Sequence, residues 1–263
     1  MLQSVSGLSI AAMAVAAVLA IAVPVVAAVF LIKKTKGNAI NIIVGAGTFV
    51  VFALILETIL HQIVFRIFGE QLNANIWLYA FYGGLAAGLF EETGRFISMK
   101  LFMKKSLTKE NAVVFGIGHG GAEALLVGGL TYISNIFMSV MINMNAFDIL
   151  LKGTDDSMKT QVYEQISALW TTPANQFLLA GVERVFAFAL QICLSYIVYR
   201  AVRYKKPAFY FLALALHFAV DACVVILAKK TQLWLVELIL AAAVVCIALI
   251  TYKVYKKEKC QTE

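Results

Sequence analysis

Residues 78–100 read LYAFYGGLAAGLFEETGRFISMK, a run long enough to cross a bilayer that nevertheless carries Glu91, Glu92 and Arg95 well inside it. A charged side chain near the bilayer centre costs at least about 2.5–3.5 kcal/mol on insertion scales, so one that is kept there serves a partner or a function. Two further apolar runs carry a similar burden: Phe115-Gly116-Ile117-Gly118-His119, and His217-Phe218-Ala219-Val220-Asp221. If the three share one depth, they describe a single buried site.

The rest of the chain supports a membrane setting. It has 263 residues, 62% of them hydrophobic and 14% charged, with a mean hydropathy of +0.86. Soluble domains average ~45–50% apolar and ~25% charged, so the composition belongs to an integral membrane protein. No long polar block is present to fold by itself, and residues 1–263 read as one transmembrane helical domain. The net charge of +7 does not imply nucleic acid, because the basic residues sit at the ends of apolar runs. Cys193, Cys223 and Cys246 lie inside apolar runs and Cys260 in the basic tail. That distribution offers neither a disulfide framework nor a structural zinc site.

Seven spans are expected, at roughly 8–32, 40–66, 76–101, 111–141, 175–200, 207–228 and 232–252. Each meets the ~20 residues needed to cross a hydrocarbon core. The first reads as a retained helix, since its apolar run exceeds the ~7–15 residues of a signal h-region and no charged segment precedes it. With the N-terminus outside, the inner loops and tail hold fifteen Lys and Arg, including Lys33, Lys34, Lys100, Lys104, Arg200 and Arg203. The outer loops hold four: Lys152, Lys159, Lys229 and Lys230. The asymmetry predicts an outside N-terminus and a cytoplasmic C-terminus in a bacterial plasma membrane. Residues 143–174, with Asp148, Asp155, Asp156, Glu164 and Trp170, form an external loop or interfacial helix in this reading.

Depth follows from helical rise. Glu91 and Glu92 lie ~18–20 Å from Lys104, His119 ~15 Å from Lys109 and His217 ~16 Å from Lys206. Glu123 and Asp221 come out slightly deeper, at ~21–22 Å. Glu57 and His61 fall ~28–34 Å from their inner end, where an interfacial pair is expected. Glu183 and Arg184 also lie beyond the main layer and read as a structural pair.

Spacing refines the picture. Glu91 and Arg95 are i, i+4 and can pair, whereas Glu92 points about 100° away. His119 and Glu123, and His217 and Asp221, repeat the i, i+4 spacing. Gly83, Gly84, Gly88, Gly94, Gly116, Gly118, Gly120 and Gly121 surround two of the motifs, allowing close helix approach or local unwinding. Interhelical hydrogen-bond glue explains any one pair. Two histidines converging on adjacent glutamates point instead to a functional site.

At these residues the chain resembles the glutamate-type intramembrane proteases: the type II CAAX prenyl endopeptidases with their bacterial CPBP or Abi relatives, and the PrsW and YhfC families. Their pattern is a double glutamate with a following basic residue, then FxxxH, then HxxxN or HxxxD. Glu91-Glu92 with Arg95, Phe115 with His119, and His217 with Asp221 match it in order. Glu-Glu-x-x-Arg is one residue shorter than the CAAX-group motif, which together with His-Gly-Gly-Ala-Glu at 119–123 points to the YhfC-like branch. The resemblance spans roughly residues 80–225.

It implies helices around a buried polar cavity and hydrolysis of a peptide bond in a membrane-embedded or membrane-associated substrate. Glu91 or Glu92 would be the general base, His119 and His217 the water-positioning or metal-binding groups, Asp221 an orienter and Arg95 the partner of the unused glutamate. Glu123 is a secondary candidate. A divalent metal such as zinc, on Glu92, His119 and His217, and a metal-free glutamate-activated water both suit this pattern. Two other readings stand beside the protease. Buried Glu, His and Asp also build proton-coupled transporters, although no inverted repeat is visible. A non-catalytic scaffold or immunity protein would keep the same motifs.

Overall fold

In the computed structural model, residues 3–35 and 37–258 are described, and among them every regular element is helical. Lys36 and Lys259, used for the charge asymmetry, and Cys260 lie outside those residues. The long helices are α1 (Gly7–Thr35), α2 (Ile40–Phe49) running through a π segment (Val50–Glu57) into α3 (Thr58–Ala74), and α4 (Ile76–Phe102). They continue with α5 (Lys109–Glu123), a second π segment (Ala124–Gly129) and α6 (Leu130–Asn143). Three short helices follow, α7 (Phe147–Leu150), α8 (Asp156–Ile166) and α9 (Ala168–Thr171), before α10 (Ala174–Arg203), α11 (Pro207–Lys230) and α12 (Leu233–Lys257).

Among the described residues, six helical stretches are both long and apolar enough to cross a membrane. The seventh expected span, α4, has 27 residues, and its internal Glu91, Glu92 and Arg95 lower its apolarity. Outward-facing Ile43 and Ile250 are 67% and 64% exposed, which only a hydrocarbon surround makes favourable. The chain is an all-α polytopic membrane protein.

The breaks have local causes. Between α3 and α4, Asn75 adopts an extended conformation (φ −131°, ψ 104°), and its Oδ1 accepts from the Trp77 and Leu78 amides at 3.0 and 3.3 Å. That capping starts a new helix directly after the old one. Pro207 opens α11 at the position where a missing N–H costs nothing.

Two compact units emerge from the contacts. One comprises residues 1–23 and 124–185. It packs Met13, Ala16, Tyr132, Ile142 and Phe177, and the Asn143 amide bonds both backbone groups of Val5, at 2.7 and 2.9 Å. The other comprises residues 24–123 and 186–263, around Met99, Phe115, Leu194, Val198, Ala213 and Val244.

Within the second unit, α2 and α5 meet backbone to backbone. A Cβ on Gly45 would stand 2.1 Å from the Phe115 carbonyl oxygen, and one on Gly118 would stand 2.1 Å from that of Ile42. No side chain fits between them. Gly118→Ala is therefore expected to destabilise the protein beyond the ~1–3 kcal/mol of ordinary overpacking. Gly83→Ala, with open space around its Cβ, should leave stability unchanged or raise it by up to ~1 kcal/mol. Thermal unfolding of the detergent-solubilised variants separates the two cases.

Candidate functional site

Three helices of the second unit bring the charged motifs into contact. On α4, Glu91, Glu92 and Arg95 follow one another at i, i+1 and i+4, so the guanidinium reaches both carboxylates. Arg95 Nη2 donates to Glu91 Oε2 at 3.0 Å, and Nη1 donates to Glu92 Oε1. Arg95 and Glu92 are fully buried and Glu91 is 6% exposed. Two adjacent carboxylates would repel strongly in such a place; a shared cation with directed hydrogen bonds offsets that.

The imidazoles arrive from the other two helices. From α5, His119 Nε2 lies 2.9 Å from Glu91 Oε2; from α11, His217 Nδ1 lies 2.8 Å from Glu92 Oε1. Ionised carboxylates only accept, so each of these ring nitrogens is the donor. His119 is held by aromatic faces: Phe115, one turn earlier, stacks at 6.2 Å between centroids, and Phe49 meets it edge-on at 5.4 Å. The FxxxH spacing is thus a packing device, with the phenyl ring fixing the imidazole.

Asp221 reaches the other side of the same ring: its Oδ2 is 3.4 Å from His217 Nε2 and its side chain is 37% exposed, while His217 Nδ1 donates to Glu92. Glu123 does not reach His119 among the hydrogen bonds seen; it accepts from Gln191 Nε2 at 2.5 Å. Glu183 and Arg184 pair with each other in the first unit.

Gln191 on α10 is a member of the site that the motifs did not reveal. Its Nε2 also donates to Glu91 Oε2 at 3.1 Å, and its Oε1 accepts from Arg95. A signal for it existed: Gln191 lies 12 positions before Arg203, ~18 Å at helical rise, the same layer as the glutamates.

Glu57, at the end of the first π segment, is also buried near these charges. It is 8% exposed and interacts electrostatically with Glu91, His217, Asp221 and Glu123. The expected pair forms and extends into a hydrogen-bonded row: His61 Nε2 lies 3.1 Å from Glu57 Oε1, and His61 Nδ1 lies 2.7 Å from the Tyr82 hydroxyl. The π segment ending at Glu57 has wider turns, which change the facing of the helix there. The second π segment starts directly after Glu123.

Two histidines and two glutamates are donor types that zinc accepts. In this arrangement each imidazole spends a nitrogen on a carboxylate, and Arg95 occupies the space between the acids. Among the described residues no three His, Cys, Asp or Glu side chains gather into a metal-holding group. Glu92 Oε2 and His119 Nδ1 remain buried without hydrogen-bond partners there. The donor types suit a metal; their placement does not collect them around one.

Sequence comparison identifies the family. The family model described as YhfC intramembrane metalloprotease matches residues 19–240. The uncharacterized membrane protein YhfC of Bacillus subtilis (strain 168) is 38% identical over 189 residues, covering 70% of this chain and 72% of the relative. No solved structure matches the chain. With the match extending over most of its length, the chain belongs to the YhfC intramembrane metalloprotease family.

Proposed function

We propose that this chain is an intramembrane endopeptidase that hydrolyses a peptide bond of a membrane-embedded or membrane-associated substrate, using a water held between Glu91 and His217. The supporting observation is a gap. Glu91 Oε1 stands 4.0 Å from His217 Nε2, too far for a direct bond and suited to a water that bonds to both.

The roles follow from the bonds each group already makes. Glu91 Oε2 is saturated by Arg95, His119 and Gln191, which leaves Oε1 to take a proton from the water. His217 donates its Nδ1–H to Glu92, and its Nε2, facing the carboxylates of Glu91 and Asp221, is set to donate to the water oxygen and then to the oxyanion that forms on attack. The oxygen lone pair is then free to attack a carbonyl carbon, and the protonated Glu91 can return its proton to the leaving amine. Glu92 and Arg95 act as positioning residues that hold His217 and Glu91. Asp221, the most exposed member, stands beside Nε2, where it favours the imidazolium when that forms. The proposed orientation has the N-terminus outside and the C-terminus in the cytoplasm of a bacterial plasma membrane.

His217→Ala should lower cleavage of a fluorogenic transmembrane peptide in proteoliposomes by about 10²-fold or more while the protein stays folded. Cleavage at the native rate would remove the proposed water site. Metal analysis of the same purified protein separates a metal-held water from one activated by glutamate alone. The row Glu57–His61–Tyr82 supports a second reading, proton-coupled transport, because buried titratable chains carry protons. Acid-driven solute uptake with no peptide cleavage would favour that reading.

A further inference from the structure

Between the end of α4, the end of α10 and the start of α11 lies a cavity of about 450 Å³ that the chemistry above does not use. Its walls divide into two kinds. Phe96, Leu107 and Val202 make an apolar face, and Lys100, Lys104 and Lys205 supply three cations. No carboxylate lines it, and among the described residues none of the three lysines pairs with one. The Lys100 ammonium instead lies 5.7 Å from the centroid of the Phe96 ring.

Two further features mark the cavity. Lys205 has φ +53°, a left-handed conformation at the end of α10 where glycine is the usual residue. A side chain there costs about 1–2 kcal/mol, so a lysine is kept at the expense of stability. Pro207 lines the same cavity as the first residue of α11, a 24-residue helix whose first turn receives no side-chain cap. Its positive dipole end faces the lysines' surroundings.

Both α10 and α11 are long and apolar enough to cross a membrane, and the ends of such helices fall near the bilayer–water boundary. A cationic mouth over an apolar slot at that boundary matches one class of ligand. We propose that this cavity binds an anionic phospholipid, with the phosphate on Lys100, Lys104 and Lys205 and an acyl chain along Phe96, Leu107 and Val202. Basic pockets between membrane helices recognise lipid phosphates in this manner.

The test uses the full-length protein in detergent, with phosphatidylglycerol and phosphatidylcholine as probes and native mass spectrometry as readout. Wild type should prefer phosphatidylglycerol. Each lysine near the surface contributes about fivefold, so Lys100→Gln, Lys104→Gln and Lys205→Gln together should lower that preference by about 10²-fold. A control triple, Lys229→Gln, Lys230→Gln and Lys253→Gln, removes the same charge elsewhere and should leave it intact. Equal loss in both triples, or no preference in wild type, overturns the proposal. Displacement of the lipid by excess glycerol phosphate would also overturn it, since a headgroup alone would then suffice.

Lys205→Gly keeps the test decisive even if the triple variant folds poorly. It relieves the left-handed strain, so the thermal midpoint should rise while phosphatidylglycerol binding falls about fivefold. Unchanged binding in this stabler variant would sink the assignment.

Discussion

Glu91→Gln is expected to lower peptide cleavage by about 10²–10⁴-fold with little change in stability, because it removes the proton acceptor and keeps the shape. The amide oxygen can still accept from Arg95, His119 and Gln191, the three donors that now meet Oε2. What is lost is the second oxygen, 4.0 Å from His217 Nε2. Single-turnover cleavage of a transmembrane peptide, normalised to folded protein, measures the effect. Glu92→Gln serves as the comparison. Its role runs through His217, so it should shift the pH profile of cleavage and leave substantial activity at the optimum. A Glu91→Gln variant that cleaves at the native rate would remove Glu91 from the reaction.

Arg95→Met should have the largest effect on stability, about 3–5 kcal/mol, because it strands two buried carboxylates without their cation. Arg95 is fully buried and bonds Glu91, Glu92 and Gln191 at once. The double variant Arg95→Met, Glu92→Gln removes one stranded charge along with the cation and should recover part of the loss. That non-additive recovery is the signature of a shared network. Thermal unfolding in detergent of the two single variants and the double variant provides the measurement. Losses that simply add would show that Arg95 and Glu92 act independently.

Several of these contacts were legible in the sequence because helical rise converts position into depth. Charges at helix ends give the origin of that scale, and Glu91, Glu92, His119 and His217 fell into one layer that the structure gathers. A constant rise does not apply at Glu57, since a π segment precedes it. Gln191 was passed over because an uncharged amide in an apolar run resembles ordinary interhelical glue. The i, i+4 pairs were right in spacing and incomplete in partner choice. His119 and His217 each turn to a glutamate of α4, and interhelical bonds of that kind have no sequence period. The glycine-rich character of α5 was plain, but its counterpart Gly45 on α2 carried no motif.

The seam between α2 and α5 has a consequence for traffic. Backbones touching through Gly45 and Gly118 leave no side chains to swing aside, so that flank is a closed wall. His119 sits beside it with no exposed surface, while Asp221 on α11 keeps 37% of its side chain open. If the proposed hydrolysis takes place here, a peptide would approach from the side of Asp221 and not through that seam.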